Sequence, residues 1–409
     1  MRLFFKNRKV TLLLDQLVFS GTSFILTILL ARMLDMESFG RYSGFVLAIY
    51  LLVSGIGSFV TQPFQVMQAK VKNINQYIAF AFWLQIAFVG IVLFIGLGFH
   101  LFFSDYFPLT LLGFVAGFLI HDFGRKILLA LDRPLQTLIL DAGTALLSLF
   151  ALSLFASQSL NTLGSLLAYL SLAYIASFIL LFVFLKPFHL NRKIATHFLF
   201  NHWREGKWLF LTAVSQWWSG NLFVVASGVY LGATALGALR LAQSLMGVLN
   251  VLLQTFENYV LPQTAKKLNL HISEGLTFVA GISRKAGMLF IPVLLFTFIF
   301  AEQLFVLAGG SEYAAYAFAL QGMSLLYLLI FLSQPIRLFI RAMLLNDHFF
   351  YGYLISLAFA LLCAHSLLST YGLTGAIAGL AISQVLLMAY WTIILQKKKI
   401  YLWKSFISF

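Results

Sequence analysis

Residues 163–185 read LGSLLAYLSLAYIASFILLFVFL, an apolar run without a single charged side chain. A helix of about 20 residues crosses the roughly 30 Å of hydrocarbon in a bilayer, so this run is long enough to span a membrane. The same character extends along the whole chain, because 61% of its 409 residues are hydrophobic and only 10% are charged. This composition excludes a soluble globular protein.

Hydropathy and turn residues divide the chain into twelve apolar segments of membrane-spanning length. The predicted spans are 12–34, 43–63, 77–99, 108–124, 137–157, 163–185, 208–231, 238–261, 286–307, 314–335, 350–370 and 373–395. The first is too long for a cleavable signal peptide. Backbone groups in lipid must be paired within helices or a closed barrel, and a barrel would show short alternating segments. We therefore predict an all-α membrane protein with about twelve transmembrane helices.

Basic residues are distributed unevenly between the two sides of this predicted topology. With loops assigned to alternate sides, 24 of the 27 Lys and Arg residues lie on the side of the N-terminus. Only Arg32, Arg41 and Arg240 lie toward the other side. Because positively charged loops stay in the cytoplasm, both termini are predicted to be cytoplasmic. The net charge of +14 therefore reports topology and does not indicate nucleic-acid binding.

The short loops exclude several classes of membrane protein. The predicted external loops are a few residues long, and no Walker-type glycine loop is present, so neither an extracellular receptor domain nor a nucleotide-binding domain is expected. The single cysteine, Cys363, excludes an intrachain disulfide and a cysteine-based metal site. We expect no cofactor and no metal.

Two halves of six spans align at an offset near 199 residues. The matching pairs are Ser20-Gly21 with Ser219-Gly220, Gln16 with Gln216, Pro63 with Pro262, and Gly40 with Gly237. Coincidence in a glycine-rich membrane chain is the alternative explanation. A repeat of this kind predicts two parallel six-helix bundles around a central cavity, as in many secondary transporters. The predicted parts are a first bundle at 1–186, a cytoplasmic linker at 187–207, a second bundle at 208–396 and a basic tail at 397–409.

Polar residues recur along the eighth span at helical spacing. They are Arg240, Gln243, Gly247, Asn250, Gln254 and Glu257, at steps of three and four residues. On a straight helix they share one face, which predicts the lining of a substrate pathway, although single polar residues also join helices by hydrogen bonds. Glu257, near the cytoplasmic end, either takes up a coupling ion or binds the basic loop with Lys266 and Lys267.

Spans one and seven carry further polar residues, with Gln16 and Gln216 predicted to face the same cavity. Asp15 is either a capping residue at the cytoplasmic end or an ion-coupling residue of the cavity. Asp141 and Asp122 are predicted partners of Arg133 and Arg125 at the cytoplasmic mouth. The histidines near span ends, which include His100, His121 and His365, are predicted to be interfacial.

Several short motifs resemble the bacterial O-antigen flippases, the Wzx-like polysaccharide translocases. In the first half these are Asp15-Gln16, Ser20-Gly21, Leu29-Leu30-Ala31-Arg32, Phe39-Gly40, and Arg125-Lys126 through Leu128 to Arg133. In the second half they are Gly206-Lys207-Trp208, Gln216-Trp217, Ser219-Gly220-Asn221, Leu236-Gly237, Leu239-Arg240, Ala242-Gln243-Ser244 and Glu257-Asn258-Tyr259-Val260-Leu261-Pro262. The resemblance covers the chain end to end, with the last third matching partly by hydropathy alone.

This resemblance implies a superfamily that also contains multidrug exporters and the lipid II flippase. It implies transfer of an undecaprenyl-diphosphate-linked oligosaccharide to the periplasmic leaflet of the bacterial inner membrane, with a polysaccharide polymerase and chain-length machinery as possible partners. The diphosphate needs cationic donors. Arg240 and then Arg32 are the candidates in the cavity, and Arg125, Arg337 and Arg341 are the candidates at the cytoplasmic mouth. Alternatively, Arg32 and Arg41 pair with Asp35 and Glu37 in the external turn.

Two other functions are compatible with part of the pattern. A small-molecule exporter of the same fold would use Asp15 or Glu257 to couple a proton or sodium ion to efflux. A membrane-embedded glycosyltransferase or polymerase would need acid and base groups on sizeable loops, and the sequence contains neither an Asp-x-Asp pair nor such loops. We therefore expect a transporter and not an enzyme.

Overall fold

The computed structural model describes residues 8–157, 162–187, 191–268 and 270–402, and in these ranges the chain is helical without any strand. The helices are α1 (Arg8–Met33), α2 (Met36–Phe59), α3 (Thr61–Met67), α4 (Ile74–Phe102), α5 (Thr110–Ala130), α6 (Pro134–Ala156), α7 (Leu163–Leu185), α8 (Arg192–Leu231), α9 (Ala233–Leu245), α10 (Gly247–Leu268), α11 (Ile272–Ile299), α12 (Ala301–Gly309), α13 (Ala317–Ala342) and α14 (Asn346–Lys397). Residues 158–161 of the predicted external loop at 157–162 lie outside the described residues, as do the tail beyond Leu402, including Lys404, and Arg2 and Lys6.

The predicted membrane spans correspond to helices of the described chain. Nine of these helices are long and apolar enough to cross a membrane, and the bent pair α9–α10 makes a tenth. Helix α5 has the length but carries Asp122, Arg125 and Lys126, and α14 contains two helical stretches that meet at Gly372. The prediction of an all-α membrane fold with about twelve spanning helices is confirmed.

Gly372 separates the last two spans where the sequence predicted a break. Its φ of 57° and ψ of −137° are unfavourable for any residue with a Cβ atom, so glycine allows the two stretches of α14 to meet without a loop. Gly375, in the next turn, lies so close to the Leu367 carbonyl that a Cβ atom there would be 2.0 Å from its oxygen.

The eighth predicted span is bent, which corrects the single polar face predicted from its sequence. Helix α9 ends at Leu245, α10 begins at Gly247, and the two axes differ by 44°. Glycine is about 1 kcal/mol less favourable than alanine inside a helix, so the bend falls where helix propensity is low. Arg240 and Gln243 therefore lie on a different axis from Asn250, Gln254 and Glu257.

The segment predicted as a cytoplasmic linker is helical from Arg192 and continues into the seventh span as α8. His202 holds this extension in place. Its Nε2 atom lies 2.7 Å from the Tyr77 hydroxyl, and its Nδ1 atom lies 2.7 Å from the Phe59 carbonyl oxygen. The Trp203 ring stacks on that of Phe59 at 5.5 Å between centroids. The extension is thus a packed element and not a loop.

The chain forms two compact units. The first comprises Met1–Leu26 and Phe45–Val214, and the second comprises Thr27–Gly44 and Ser215–Phe409. The predicted bundle boundaries near 186 and 208 remain a prediction. Within the first unit α5 packs closely on α7, since Cβ atoms at Gly117 and Gly124 would lie 2.4 Å and 2.2 Å from the side chains of Tyr174 and Leu181.

The second unit has a core between α10, α11, α13 and α14. Its largest fully buried side chain is Trp391, which lies with other residues of the same core, namely Val260, Val279, Ile336, Phe339, Ile340 and Leu395. The start of α2 also belongs to this unit and contacts the start of α9. A Cβ atom at Gly40 would be 1.8 Å from the Ala233 carbonyl oxygen, and one at Gly237 would be 3.1 Å from the Gly40 Cα atom. These glycines, matched by the predicted repeat, pack against each other.

Candidate functional site

A buried charge cluster joins three helices of the first unit. The Arg125 guanidinium on α5 donates from Nε to Asp141 Oδ2 on α6 at 2.7 Å, and from Nη2 to Asp15 Oδ2 on α1 at 3.0 Å. Nη2 also lies 3.1 Å from Gln16 Oε1. The side chains of Asp15 and Asp141 are almost completely buried, with 2% and 1% exposed. We refer to Asp15, Arg125, Asp141 and His121 as the Arg125 cluster.

The ring of Phe19 packs against two members of this cluster, Arg125 and His121. The Arg125 Cζ atom lies 4.0 Å from the centroid of the Phe19 ring, which stacks on His121 at 6.5 Å. His121 Nε2 is 3.2 Å from Asp141 Oδ1, close enough for an ion pair but not aligned as a hydrogen bond. Among the described residues, Asp15 Oδ1 and Asp141 Oδ1 have no hydrogen-bond donor.

The charges of the Arg125 cluster do not cancel. Two carboxyl groups share one guanidinium, which leaves an excess of one negative charge when both are ionised and His121 is neutral. An unbalanced buried charge is costly unless a further group compensates it. Asp15 Oδ1 and Asp141 Oδ1, which receive no hydrogen bond from the described residues, are therefore suited to accept a proton or a small cation. Arg125 already donates to the other oxygen of each carboxylate.

A second charge cluster lies in the second unit and has the opposite balance. Glu257 on α10 accepts a hydrogen bond from Arg341 through Oε1, and its Oε2 atom lies 3.7 Å from Arg337 Nη2. Both arginines are on α13, one turn apart, and each guanidinium lies 5.9 Å from the Phe349 ring centroid. We refer to Glu257, Arg337 and Arg341 as the Glu257 cluster, which has an excess of one positive charge.

The polar residues of the bent eighth span have separate local partners. Arg240 donates to Gln243 Oε1 at 2.8 Å, one turn along α9. On α10, Asn250 donates to the Tyr327 hydroxyl on α13 at 2.6 Å, and Gln254 is exposed. Asn250 therefore joins two helices by a hydrogen bond, the structural role considered for such residues. The Arg240 guanidinium is half-buried, which leaves the pathway role open to it.

The remaining predicted site residues are distributed between both units. Gln16 donates to Ser20 at 2.8 Å as well as accepting from Arg125. Gln216 lies 3.4 Å from the Tyr353 hydroxyl, and beside it Ser219 donates to Ser356 at 2.9 Å, so α8 and α14 share a polar contact in the second unit.

The charged residues of the turn between α1 and α2 have different partners. Arg41 donates to Glu37 at 2.6 Å, which is the predicted ion pair. Asp35 instead accepts from the Ser38 N–H at 2.9 Å and caps α2. Arg32 is exposed in the last turn of α1.

Several predicted pairings are wrong, because the partners come from other helices or from the next turn of the same helix. Asp141 binds Arg125 and not Arg133, whose Nη1 donates to the Phe184 carbonyl. Asp122 pairs with Lys126 at 2.7 Å. His121, predicted to be interfacial, is 7% exposed and belongs to the Arg125 cluster. Its spacing of one helical turn from Arg125 was the available signal. Glu257 pairs with α13 and not with Lys266 and Lys267.

Neither a protein-family model nor a curated protein sequence matches the chain. Its fold is similar to solved membrane transporters over nearly its whole length. The lipid II flippase MurJ, in an inward closed conformation, has a TM-score of 0.71 and 14% identity over 97% of this chain and 89% of that one. A MATE family multidrug resistance transporter in an outward-facing conformation has a TM-score of 0.64 and 13% identity, with 96% of both chains covered. A MOP superfamily transporter from Pyrococcus furiosus gives 0.62 and 14%, again over 96% of both.

These likenesses establish the fold. The chain has a multi-pass helical fold like that of the compared proteins, which are a lipid II flippase, a MATE family multidrug resistance transporter and a MOP superfamily transporter.

Proposed function

We propose that the protein moves an undecaprenyl-diphosphate-linked oligosaccharide from the cytoplasmic to the periplasmic leaflet of a bacterial inner membrane, by alternating access, during synthesis of an O-antigen or related surface polysaccharide. The observation that carries this proposal is the likeness to the lipid II flippase MurJ, which extends over 97% of the chain. The resemblance of the short motifs to Wzx-like translocases supports an oligosaccharide as the cargo. The polysaccharide polymerase and the chain-length machinery are the expected partners downstream.

The charges of the second unit suit such a substrate. A diphosphate head group must be drawn out of water by cationic donors, and arginine can bind phosphate oxygens in pairs. Arg240 is half-buried on α9, and Arg337 with Arg341 has an excess of positive charge on α13. Many large apolar side chains on the helices are exposed, so the lipid tail of the substrate can stay in contact with apolar surface in the bilayer.

Deletion of the gene in the source bacterium tests the proposal. We expect loss of the surface polysaccharide together with accumulation of the lipid-linked repeat unit in the inner leaflet. Both effects should be reversed by a plasmid copy of the wild-type gene. A deletion strain with normal surface polysaccharide and no accumulated intermediate would reject the proposal.

The second candidate function is a cation-coupled small-molecule exporter of the same fold. The excess negative charge of the Arg125 cluster favours it, because a buried carboxylate pair is suited to take up a proton or sodium ion. In proteoliposomes an imposed ion gradient would then drive efflux of a small cationic dye, and Asp15→Asn would abolish this efflux. A flippase coupled through the same carboxylates would show no dye efflux.

Glu257 is the other predicted coupling residue, and its two arginine partners favour a structural or substrate-related role. If Glu257→Gln supports wild-type transport at every pH and ion gradient, the coupling role of Glu257 is wrong. If Glu257→Gln instead keeps transport but loses its dependence on the ion gradient, the coupling role of Glu257 is supported.

A further inference from the structure

The Glu257 cluster has more hydrogen-bond donors and positive charge than its single carboxylate can satisfy. Glu257 contributes one negative charge to two guanidinium groups, so the cluster keeps an excess positive charge at the edge of the core of the second unit. The contact to Arg337 is loose at 3.7 Å, and Arg337 Nε is buried without a hydrogen-bond partner among the described residues. A buried donor without an acceptor is costly and rare in folded proteins.

The two arginines pack against the same aromatic ring. Each guanidinium lies over Phe349, and Phe349 stacks on the buried Trp391 with 5.3 Å between centroids and an angle of 4°. The Trp391 indole is itself fixed by a 3.1 Å hydrogen bond to the His348 carbonyl oxygen. Stacked guanidinium groups have less rotamer freedom to lose on binding, so this pair is organised before an anion arrives.

Exposure differs between the carboxylate and its partners. The side chains of Arg337 and Arg341 are 27% and 38% exposed, whereas that of Glu257 is 13% exposed. An anion can therefore reach the arginines from their open side and replace Glu257 without passing through the core.

We propose that Arg337 and Arg341 form a binding site for a diphosphate group, and that Glu257 occupies this site as an internal competitor until the diphosphate displaces it. The proposal rests on the proposed function and names the site that binds the head group. A diphosphate carries more charge and more acceptor oxygens than one carboxylate, so it can neutralise both guanidinium groups and reach Arg337 Nε. The displaced Glu257 loses its partners, which weakens the net affinity and favours release of the substrate after transport.

Binding of farnesyl diphosphate to the full-length protein in detergent, measured by isothermal titration calorimetry, tests the site. Glu257→Gln has nearly the same shape and removes only the competing charge, so we expect it to tighten binding about tenfold, which corresponds to about 1.4 kcal/mol. Arg337→Gln and Arg341→Gln should each weaken binding at least about tenfold. Lys285→Gln, which removes an exposed charge from α11, is the matched control and should leave the affinity unchanged.

Further ligands and variants distinguish the alternatives. Inorganic diphosphate that binds as well as farnesyl diphosphate would identify a site for free diphosphate, whereas binding that requires the prenyl chain would identify a lipid head group. Arg337→Lys keeps the charge but not the paired donors, so it should bind more weakly than wild type. It also tests the site if the glutamine variants do not fold, as judged by gel filtration.

Unchanged or weakened binding in Glu257→Gln would overturn the competitor role, and an equal loss in Lys285→Gln would reduce the site to nonspecific attraction. The diphosphate site and the proposed flippase function can fail independently. Normal surface polysaccharide in the deletion strain would reject the flippase even if Glu257→Gln tightened diphosphate binding. An accumulated intermediate, together with unchanged binding in the variants, would reject the site alone.

Discussion

Two buried carboxylates from different helices depend on one guanidinium group at Arg125. Arg125→Met keeps an unbranched apolar side chain but leaves Asp15 and Asp141 without their cation. Removing one partner of a buried ion pair costs about 3–5 kcal/mol, so we expect a clearly lower unfolding temperature of the purified protein in detergent. Lys126→Met is the control, because Lys126 pairs with the partly exposed Asp122 and its loss should cost less than about 1 kcal/mol.

Neutralising the two carboxylates together with Arg125 separates the effect of charge from that of packing. The triple variant Asp15→Asn, Arg125→Met, Asp141→Asn removes all three charges, so it should recover much of the stability lost in Arg125→Met. An unfolding temperature as low as that of Arg125→Met would show that packing on Phe19, and not charge, is what Arg125 contributes.

Arg240 is the residue of the bent eighth span whose charge we expect to serve transport. A charged side chain within a membrane-spanning helix is costly, and Arg240 is half-buried, which suggests a functional role. Arg240→Ala should insert normally and fail to restore surface polysaccharide in the deletion strain. Arg240→Lys should restore part of it if charge matters more than paired hydrogen bonds.

Arg41→Ala is the matched control, since Arg41 pairs with Glu37 at the exposed start of α2 and should be dispensable. Full complementation by Arg240→Ala would assign Arg240 to a structural contact with Gln243.

At the scale of elements, Asp35 determines where α2 begins. Its carboxylate accepts from the Ser38 N–H at 2.9 Å. Desolvation raises the pKa of Asp35, but hydrogen bonds from the backbone and side chain of Ser38 outweigh it, so the pKa is lowered. The capping contribution is therefore fully present above the unfolded pKa of about 4 and is lost as the pH falls through the folded value.

Asp35→Ala should cost about 1 kcal/mol at neutral pH. Unfolding in detergent as a function of pH should show this difference shrinking below about pH 4. Glu37→Ala removes a nearby exposed carboxylate and should change stability by less than about 0.5 kcal/mol. A difference for Asp35→Ala that grows on acidification would contradict the capping role.

The contact between α2 and α9 depends on glycine. A Cβ atom at Gly40 would overlap the Ala233 carbonyl oxygen, a backbone atom that cannot rotate away. Gly40→Ala should therefore destabilise the protein by about 1–3 kcal/mol, measured as a lower unfolding temperature.

Gly21→Ala, inside α1 with nothing within 4 Å of the new atom, is the control and should be neutral or stabilising by up to about 1 kcal/mol. Equal effects of the two substitutions would mean that the start of α2 can shift away from α9 at little cost.

At the scale of the whole molecule, the charge asymmetry of the loops predicts that both termini are cytoplasmic. In a variant with Cys363→Ser, single cysteines at Lys266 and Lys398 should react with an impermeant maleimide only after the membrane is opened. Cysteines at Asp105 and Glu312 should react in intact cells without the outer membrane. All four positions are exposed, so burial does not limit labelling. The reverse pattern would invert the topology.

The sequence alone determined the all-α membrane fold with about twelve spanning helices, together with the break between the last two predicted spans, where Gly372 lies. These are local properties, because about 20 consecutive apolar residues must become a helix in lipid, and glycine is the residue that most readily allows the chain to leave a helix. The helical extension at Arg192–Lys207 was missed, since its polar composition resembles a loop until Tyr77 and Phe59 are placed against His202.

Only the tertiary structure decided which charges meet. Arg125 selects Asp15 and Asp141, and Glu257 selects Arg337 and Arg341, in each case from other helices. Spacing along one helix shows which residues share a face but not which face of another helix packs against it. The bend of 44° after Leu245 is a second tertiary feature, because the sequence shows that Gly247 is a weak point of the helix without giving the direction of the next segment.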